Sequence, residues 1–234
     1  MTRPMREAHP RESESMGNLV TMDDLTNDDI VAVLDDAEKL VPVAKGDILL
    51  PLLQGKVLAN MFFENSTRTR MSFETAMKRL GGSVLNFSSV GTSVSKGETL
   101  YDTMQMIDGY ADIAAIRHPR QGAAQYSADA VGIPILNAGD GAGNHPTQTM
   151  LDLFTIRQAH GTLDGLNVVL VGDLRYGRTV HSLSHALVRF GASLTLVSPA
   201  SLKMPEEIVS DLKAHGAEVT ETESLDEQIS EADV

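Results

Sequence analysis

The chain has no cysteine and no tryptophan among its 234 residues. The first absence removes disulfides, thiolate zinc sites and a cysteine nucleophile together. Aromatic residues make up 4% of the sequence, which leaves little for stacking on nucleic-acid bases. Positive charge is also scarce: 19 Lys and Arg against 32 Asp and Glu give a net charge of -13. That balance opposes non-specific binding to nucleic acid and to anionic membrane surfaces. No apolar run is long enough to span a bilayer, and no signal-peptide core is visible. The expectation is a cytoplasmic protein with no nucleic-acid or membrane partner.

What is present is a 42% hydrophobic chain, enough for a large core in two domains. Its centre is the stretch 58–82. An apolar run ending at Phe63 reads as a buried strand, and Glu64, Asn65 and Ser66 form a polar turn. Met71, Phe73, Ala76, Met77 and Leu80 then fall at helical spacing until Gly81 and Gly82. Ser66, Thr67, Arg68, Thr69 and Arg70 thus crowd a strand-to-helix junction. A helix N-terminus offers unpaired N–H groups and partial positive charge, and hydroxyls and guanidinium groups added there suit a phosphate. The plainer alternative is a serine N-cap followed by solvated arginines. Three hydroxyls and two arginines on one turn favour the anion site.

Around this stretch, short apolar runs alternate with helical patterns. Residues 1–17 read as a disordered extension, and Thr26 as the N-cap of an amphipathic helix ending before Gly46. Strands are expected at Val84–Phe87, Ile113–Arg117 and Ile133–Leu136, with helices at Thr99–Tyr110, Ala123–Ala130 and Thr147–His160. After Gly161, strands at Val168–Val171, Leu194–Val197 and Ala217–Thr220 alternate with helices at Arg178–Phe190, Pro205–His215 and Ser224–Glu231. Such alternation specifies α/β architecture, with a parallel sheet flanked by helices in each of two domains. The expected division is 18–146, a linking helix 147–160, and 161–234. The second domain looks unfinished, because a further strand would begin near Val234.

Two more segments belong to the same rim, since ligands in open α/β sheets sit beyond the carboxyl ends of strands. Arg117 ends one strand, and the loop from Asn137 to Gln148 follows the next, bringing His145 and Gln148 to a helix start. The loop 91–98 carries Lys96 among small polar residues and by composition alone is a surface loop. Gly172–His181 resembles a dinucleotide turn, but its glycines are spaced wrongly for that role, so no nicotinamide cofactor is expected. His181 and His185 have metal-ligand spacing; with Ser182 between them and no third ligand evident, a packing face is the reading.

Taken together, Phe62-Phe-Glu-Asn-Ser-Thr-Arg-Thr-Arg70, Ser95-Lys-Gly-Glu98, Arg117-His-Pro119 and His145-Pro-Thr-Gln148 resemble the aspartate/ornithine carbamoyltransferases. Val171–Ser182, with its Tyr-Gly-Arg-Thr segment, resembles the aspartate branch. The resemblance implies carbamoyl phosphate and L-aspartate as substrates, no cofactor, no metal, and a homotrimer with shared active sites, with room for a regulatory chain. It also implies that Ser66, Thr67, Arg68 and Thr69 bind the phosphate. Arg117, His145 and Thr69 would hold the carbonyl oxygen, and Gln148 the carbamoyl NH2. Lys96, accompanied by Ser93, would reach in from a neighbouring subunit. Arg178 would grip an aspartate carboxylate, with Glu64 pairing to it as the domains close. Further aspartate-binding residues of the family would follow Val234. An ornithine enzyme, or a non-catalytic relative that keeps the phosphate pocket, are the alternatives.

Overall fold

The structure is a computed structural model that describes residues 17–88, 92–141 and 143–234. The expected tail therefore lies outside the described residues except for Gly17, as does Gly91 of the polar loop.

Helix α1 (Asn27–Lys45) starts where its sequence says it should. Thr26 Oγ1 accepts from Asp29 N at 3.1 Å while the Asp29 carboxylate accepts from Thr26 N at 2.9 Å. This reciprocal box satisfies two donors the helix cannot. Four strands follow, β1 (Val57–Phe62), β2 (Ser83–Ser88), β3 (Ile113–His118) and β4 (Ile135–Asp140), connected through α2 (Thr67–Arg79), α3 (Leu100–Asp108) and α4 (Ala123–Ala130). They form one parallel sheet in the order β2-β1-β3-β4. Helix α5 (Pro146–His160) leads to a second parallel sheet of β5 (Asn167–Val171), β6 (Ser193–Val197) and β7 (Val219–Thr222), in the order β5-β6-β7, with α6 (Arg178–Val188) and α7 (Glu206–Ala214).

The core explains how the two sheets are joined. Ile30 and Leu34 of α1 and Leu153 and Ile156 of α5 are buried in one cluster with Leu170, Leu187 and Leu194 of the second half. Burying each such side chain contributes roughly 1.5–3 kcal/mol. Arg189 reinforces the junction, donating to the Met22 carbonyl at 2.9 Å and to Asn27 Oδ1 at 2.8 Å. Helix α1 is thus anchored to the second half although it precedes the first sheet in sequence.

Three expected elements differ. The strand expected at Ile133–Leu136 is Ile135–Asp140: Pro134 lacks the N–H a ladder needs, while Leu19 pairs along the strand's outer edge. The strand expected at Ala217–Thr220 begins at Val219, because the Ala217 N–H is spent on the Leu212 carbonyl closing α7. The helix expected at Ser224–Glu231 is a run of turns, closed by bonds such as Ile229 N to the Leu225 carbonyl at 3.1 Å. Ile229 is 62% exposed, so that segment has no apolar face to bury. Val234 lies on the free edge of β5, its carbonyl accepting from Val169 N at 2.8 Å. Among the described residues, no helix is long and apolar enough to cross a membrane.

Candidate active site

The phosphate-type corner is built by the turn from β1 into α2. Ser66 occupies the position before the helix, with φ -155° and ψ 109°, yet its side chain caps nothing. Its hydroxyl instead donates to Thr69 Oγ1 at 3.0 Å. The first turn of α2 contains no acid and no side-chain cap, so its outward N–H groups keep their partial positive charge. Arg68 is exposed beside them, as are Thr67 and Arg70.

Arg117 is carried to this corner by strand register. It pairs with Phe62 across the β1–β3 ladder, and Phe63 N donates to its carbonyl at 2.9 Å. Its guanidinium is almost buried; Nη1 donates to the Ala138 carbonyl at 3.1 Å, Nη2 donates to Glu64 Oε1 at 3.1 Å, and Nε has no hydrogen-bond partner among the described residues. The pairing of Glu64 with Arg178 is an expectation for closed domains; here Glu64 pairs with Arg117 at the end of the neighbouring strand, and Arg178 Nη1 donates to the Gly141 carbonyl.

The loop after β4 locks the remaining geometry. Asp140, 3% exposed, accepts from Gly122 N and Asn144 N, both at 2.8 Å, and from Asn137 Nδ2 at 3.2 Å. Asn137 Oδ1 in turn accepts from Gly139 N at 2.8 Å. Gly139 has φ 113°, and a Cβ there would stand 3.0 Å from Arg117 Nη1, 3.4 Å from His145 Cδ2 and 3.5 Å from Arg178 Nη2. One missing side chain thus marks the point where Arg117, His145 and Arg178 converge.

The electrostatics follow from that crowding. Burial, with help from Arg117 and Arg178 and against Asp140, pulls the His145 imidazole down to about 4, so it is neutral at physiological pH. Thr147 Oγ1 lies 3.3 Å from His145 Nδ1. Burial and the Arg117 charge also lower the pKa of Arg178. Two neighbouring guanidinium groups, that of Arg117 buried and that of Arg178 half-buried, form a site that an anion would relieve.

Other expected residues sit differently. Gln148 is in the first turn of α5, with its N–H on the His145 carbonyl at 2.9 Å, but its side chain donates from Nε2 to Asp152 Oδ1 at 3.0 Å. Ser93 and Lys96 bound a short 3-10 turn, exposed, with no hydrogen bond or ion pair to the Arg117 cluster among the described residues. That turn is tied to α3 through Glu98, whose carboxylate accepts from the buried Thr103 hydroxyl at 2.6 Å. His181 and His185 are engaged in packing: His181 Nε2 meets the Leu174 carbonyl at 2.7 Å, and His185 Nε2 meets Asp211 Oδ2 at 3.0 Å. Both line a cavity of about 770 Å³ between α6, α7 and the Gly143–Asn144 loop. Residue-by-residue reading missed Asp140, the Ala138 carbonyl and Asp152. The four-residue step from Gln148 to Asp152 was the one available signal.

Comparison with known proteins matches this arrangement. The model of the carbamoyl-P binding domain of aspartate/ornithine carbamoyltransferases covers residues 17–158, and that of the Asp/Orn binding domain covers 164–234. The chain belongs to the aspartate/ornithine carbamoyltransferase family. Within that family it is 54% identical to the aspartate carbamoyltransferase catalytic subunit of Methanothermobacter thermautotrophicus, over 93% of this chain and 70% of the relative. The corresponding subunit of Archaeoglobus fulgidus is 50% identical, over 94% of this chain and 72% of the relative. The catalytic subunit of M. jannaschii aspartate transcarbamoylase superposes with a TM-score of 0.88 at 48% identity, covering 93% of this chain and 72% of that one. The Trypanosoma cruzi enzyme in complex with carbamoyl phosphate and aspartate gives 0.88 at 41% identity, over 93% and 74%.

Proposed function

We propose that this chain transfers the carbamoyl group of carbamoyl phosphate to the amine of L-aspartate, giving N-carbamoyl-L-aspartate and phosphate, a step of pyrimidine biosynthesis. The observation that carries the proposal is the meeting of Arg117, His145 and Arg178 at Gly139, beside a helix start with no cap. Ser66, Thr67, Arg68 and Thr69 hold the phosphate. Arg117, His145 and Thr69 point donors at the carbonyl oxygen, Gln148 takes the carbamoyl NH2, and Arg178 takes an aspartate carboxylate.

The chemistry needs no covalent intermediate. The deprotonated amine attacks the carbamoyl carbon, the C=O electrons move onto oxygen, and the oxyanion collapses with expulsion of phosphate. Donors aimed at that oxygen are each worth about 3–4 kcal/mol in the transition state. His145 serves as a neutral donor in the tautomer that carries its proton on Nε2, with Nδ1 turned to the Thr147 hydroxyl 3.3 Å away. The departing phosphate accepts the proton lost by the amine, so no protein base is required. Closure of the lobes 18–146 and 161–234 about helix 147–160 brings Arg178 and its carboxylate towards the carbon and excludes water.

Lys96 and Ser93 are exposed on their turn, which supports their service in a neighbour's site and hence a homotrimer with shared active sites in the cytoplasm. The relatives' designation as catalytic subunits supports a regulatory chain as a further partner. Incubation with labelled carbamoyl phosphate and either aspartate or ornithine tests the substrate. Label should enter carbamoyl-aspartate; incorporation with ornithine alone would overturn the assignment.

A further inference from the structure

We infer that Asp152 is a positioning residue that sets the polarity of the Gln148 carboxamide and thereby selects a carbonyl substituent able to donate hydrogen bonds. The inference rests on the proposed role of Gln148. Asp152 lies one helical turn after Gln148 on α5, and its Oδ1 accepts from Gln148 Nε2 at 3.0 Å. A carboxylate can only accept, so it holds the NH2 end of the amide and turns Gln148 Oε1 away from itself. That oxygen is the end a carbamoyl NH2 requires. With the amide reversed, two NH2 groups would face each other.

Asp152 is poorly explained as a stability device. It is half-buried, it forms no ion pair among the described residues, and it lies beyond the first turn, where the helix dipole would favour a carboxylate. Burial holds its pKa above the usual carboxylate range, opposed by the Gln148 hydrogen bond. Keeping such a charge without a cation costs stability, which the ordering of Gln148 offsets in function.

The probes are carbamoyl phosphate and acetyl phosphate, which differ in replacing NH2 by a methyl group that donates nothing. Their affinities are measured by titration calorimetry on wild type, Asp152→Ala and Asp152→Asn. Asp152→Ala should weaken carbamoyl phosphate about tenfold while leaving acetyl phosphate within about twofold. Asp152→Asn, whose amide oxygen can still accept from Gln148, should recover most of the loss. Equal weakening of both ligands in Asp152→Ala, no weakening of either, or no recovery in Asp152→Asn overturns the inference. If the wild type binds carbamoyl phosphate no better than inorganic phosphate, the reading of the site itself fails. The wild-type titration separates that outcome from the others. Thermal melts of both variants, expected within a few degrees of wild type, separate positioning from misfolding.

Discussion

Arg117 and Glu64 are joined by a 3.1 Å ion pair in which the arginine side chain is 10% exposed and the glutamate 36%. The pair links the turn after β1 to the end of β3 and stands at the rim where Arg178 also arrives. Glu64 is thus, with Asp140, a counter-charge in a pocket that gathers Arg117 and Arg178, and it competes electrostatically with any anion that enters. Glu64→Gln keeps an acceptor for Arg117 while removing that competition. Phosphate affinity measured by calorimetry should rise severalfold; weaker binding would mean that Glu64 orders the pocket more than it opposes the ligand.

His145 links the site to pH. Its folded pKa of about 4 lies below the unfolded value near 6.5, so the unfolded chain takes up the proton first as pH falls. The contribution is fully present above pH 6.5 and is lost progressively down to about 4, at most about 3 kcal/mol. Urea midpoints should drop over that window in wild type and drop less in His145→Asn. An identical pH dependence in both would exclude His145 as the source.

Arg68 is exposed and its side chain forms no hydrogen bond or ion pair among the described residues, so Arg68→Ala should abolish carbamoyl transfer while shifting the melting temperature by less than about 2 °C. Near-normal turnover would remove Arg68 from the phosphate site.

Gly139 tests the convergence itself. Alanine there is strained at φ 113°, and its Cβ would press on Arg117 Nη1 at 3.0 Å. Gly139→Ala should lose carbamoyl phosphate affinity at least tenfold, alongside a stability loss of about 1–2 kcal/mol. Unchanged affinity in a folded variant would show that the three side chains do not act as one site.

Much of this was legible in the residues. Hydrophobic period placed β1, α2, β3 and α5 within a residue or two, because each has an apolar run or stripe with Gly or Pro at its boundary. The rule that ligands gather beyond parallel strand ends brought Arg117 and the 137–148 loop to one edge. What escaped depended on side chains meeting across the fold. Nothing in Asn137-Ala-Gly-Asp140 announces a strand, because its polar and small residues are held by bonds to Leu19, Gly122 and Asn144 elsewhere in the chain, so β4 runs on past the apolar residues that mark it. Glu64 has two guanidinium groups within electrostatic reach, and only register decides that Arg117, paired beside Phe62, takes it. Residues 224–231 have helical propensity but no buried face, and propensity alone did not suffice.

Two half-sites lie side by side, an anion crown at α2 and Arg178 across the rim. The direct measurement is calorimetric titration with an analogue that joins a phosphonate to aspartate through the carbonyl carbon. The account predicts binding at least a hundredfold tighter than inorganic phosphate, with most of that gain lost in Arg178→Ala and phosphate affinity itself unchanged there. An analogue bound no more tightly than phosphate, or equally well by Arg178→Ala, would contradict it.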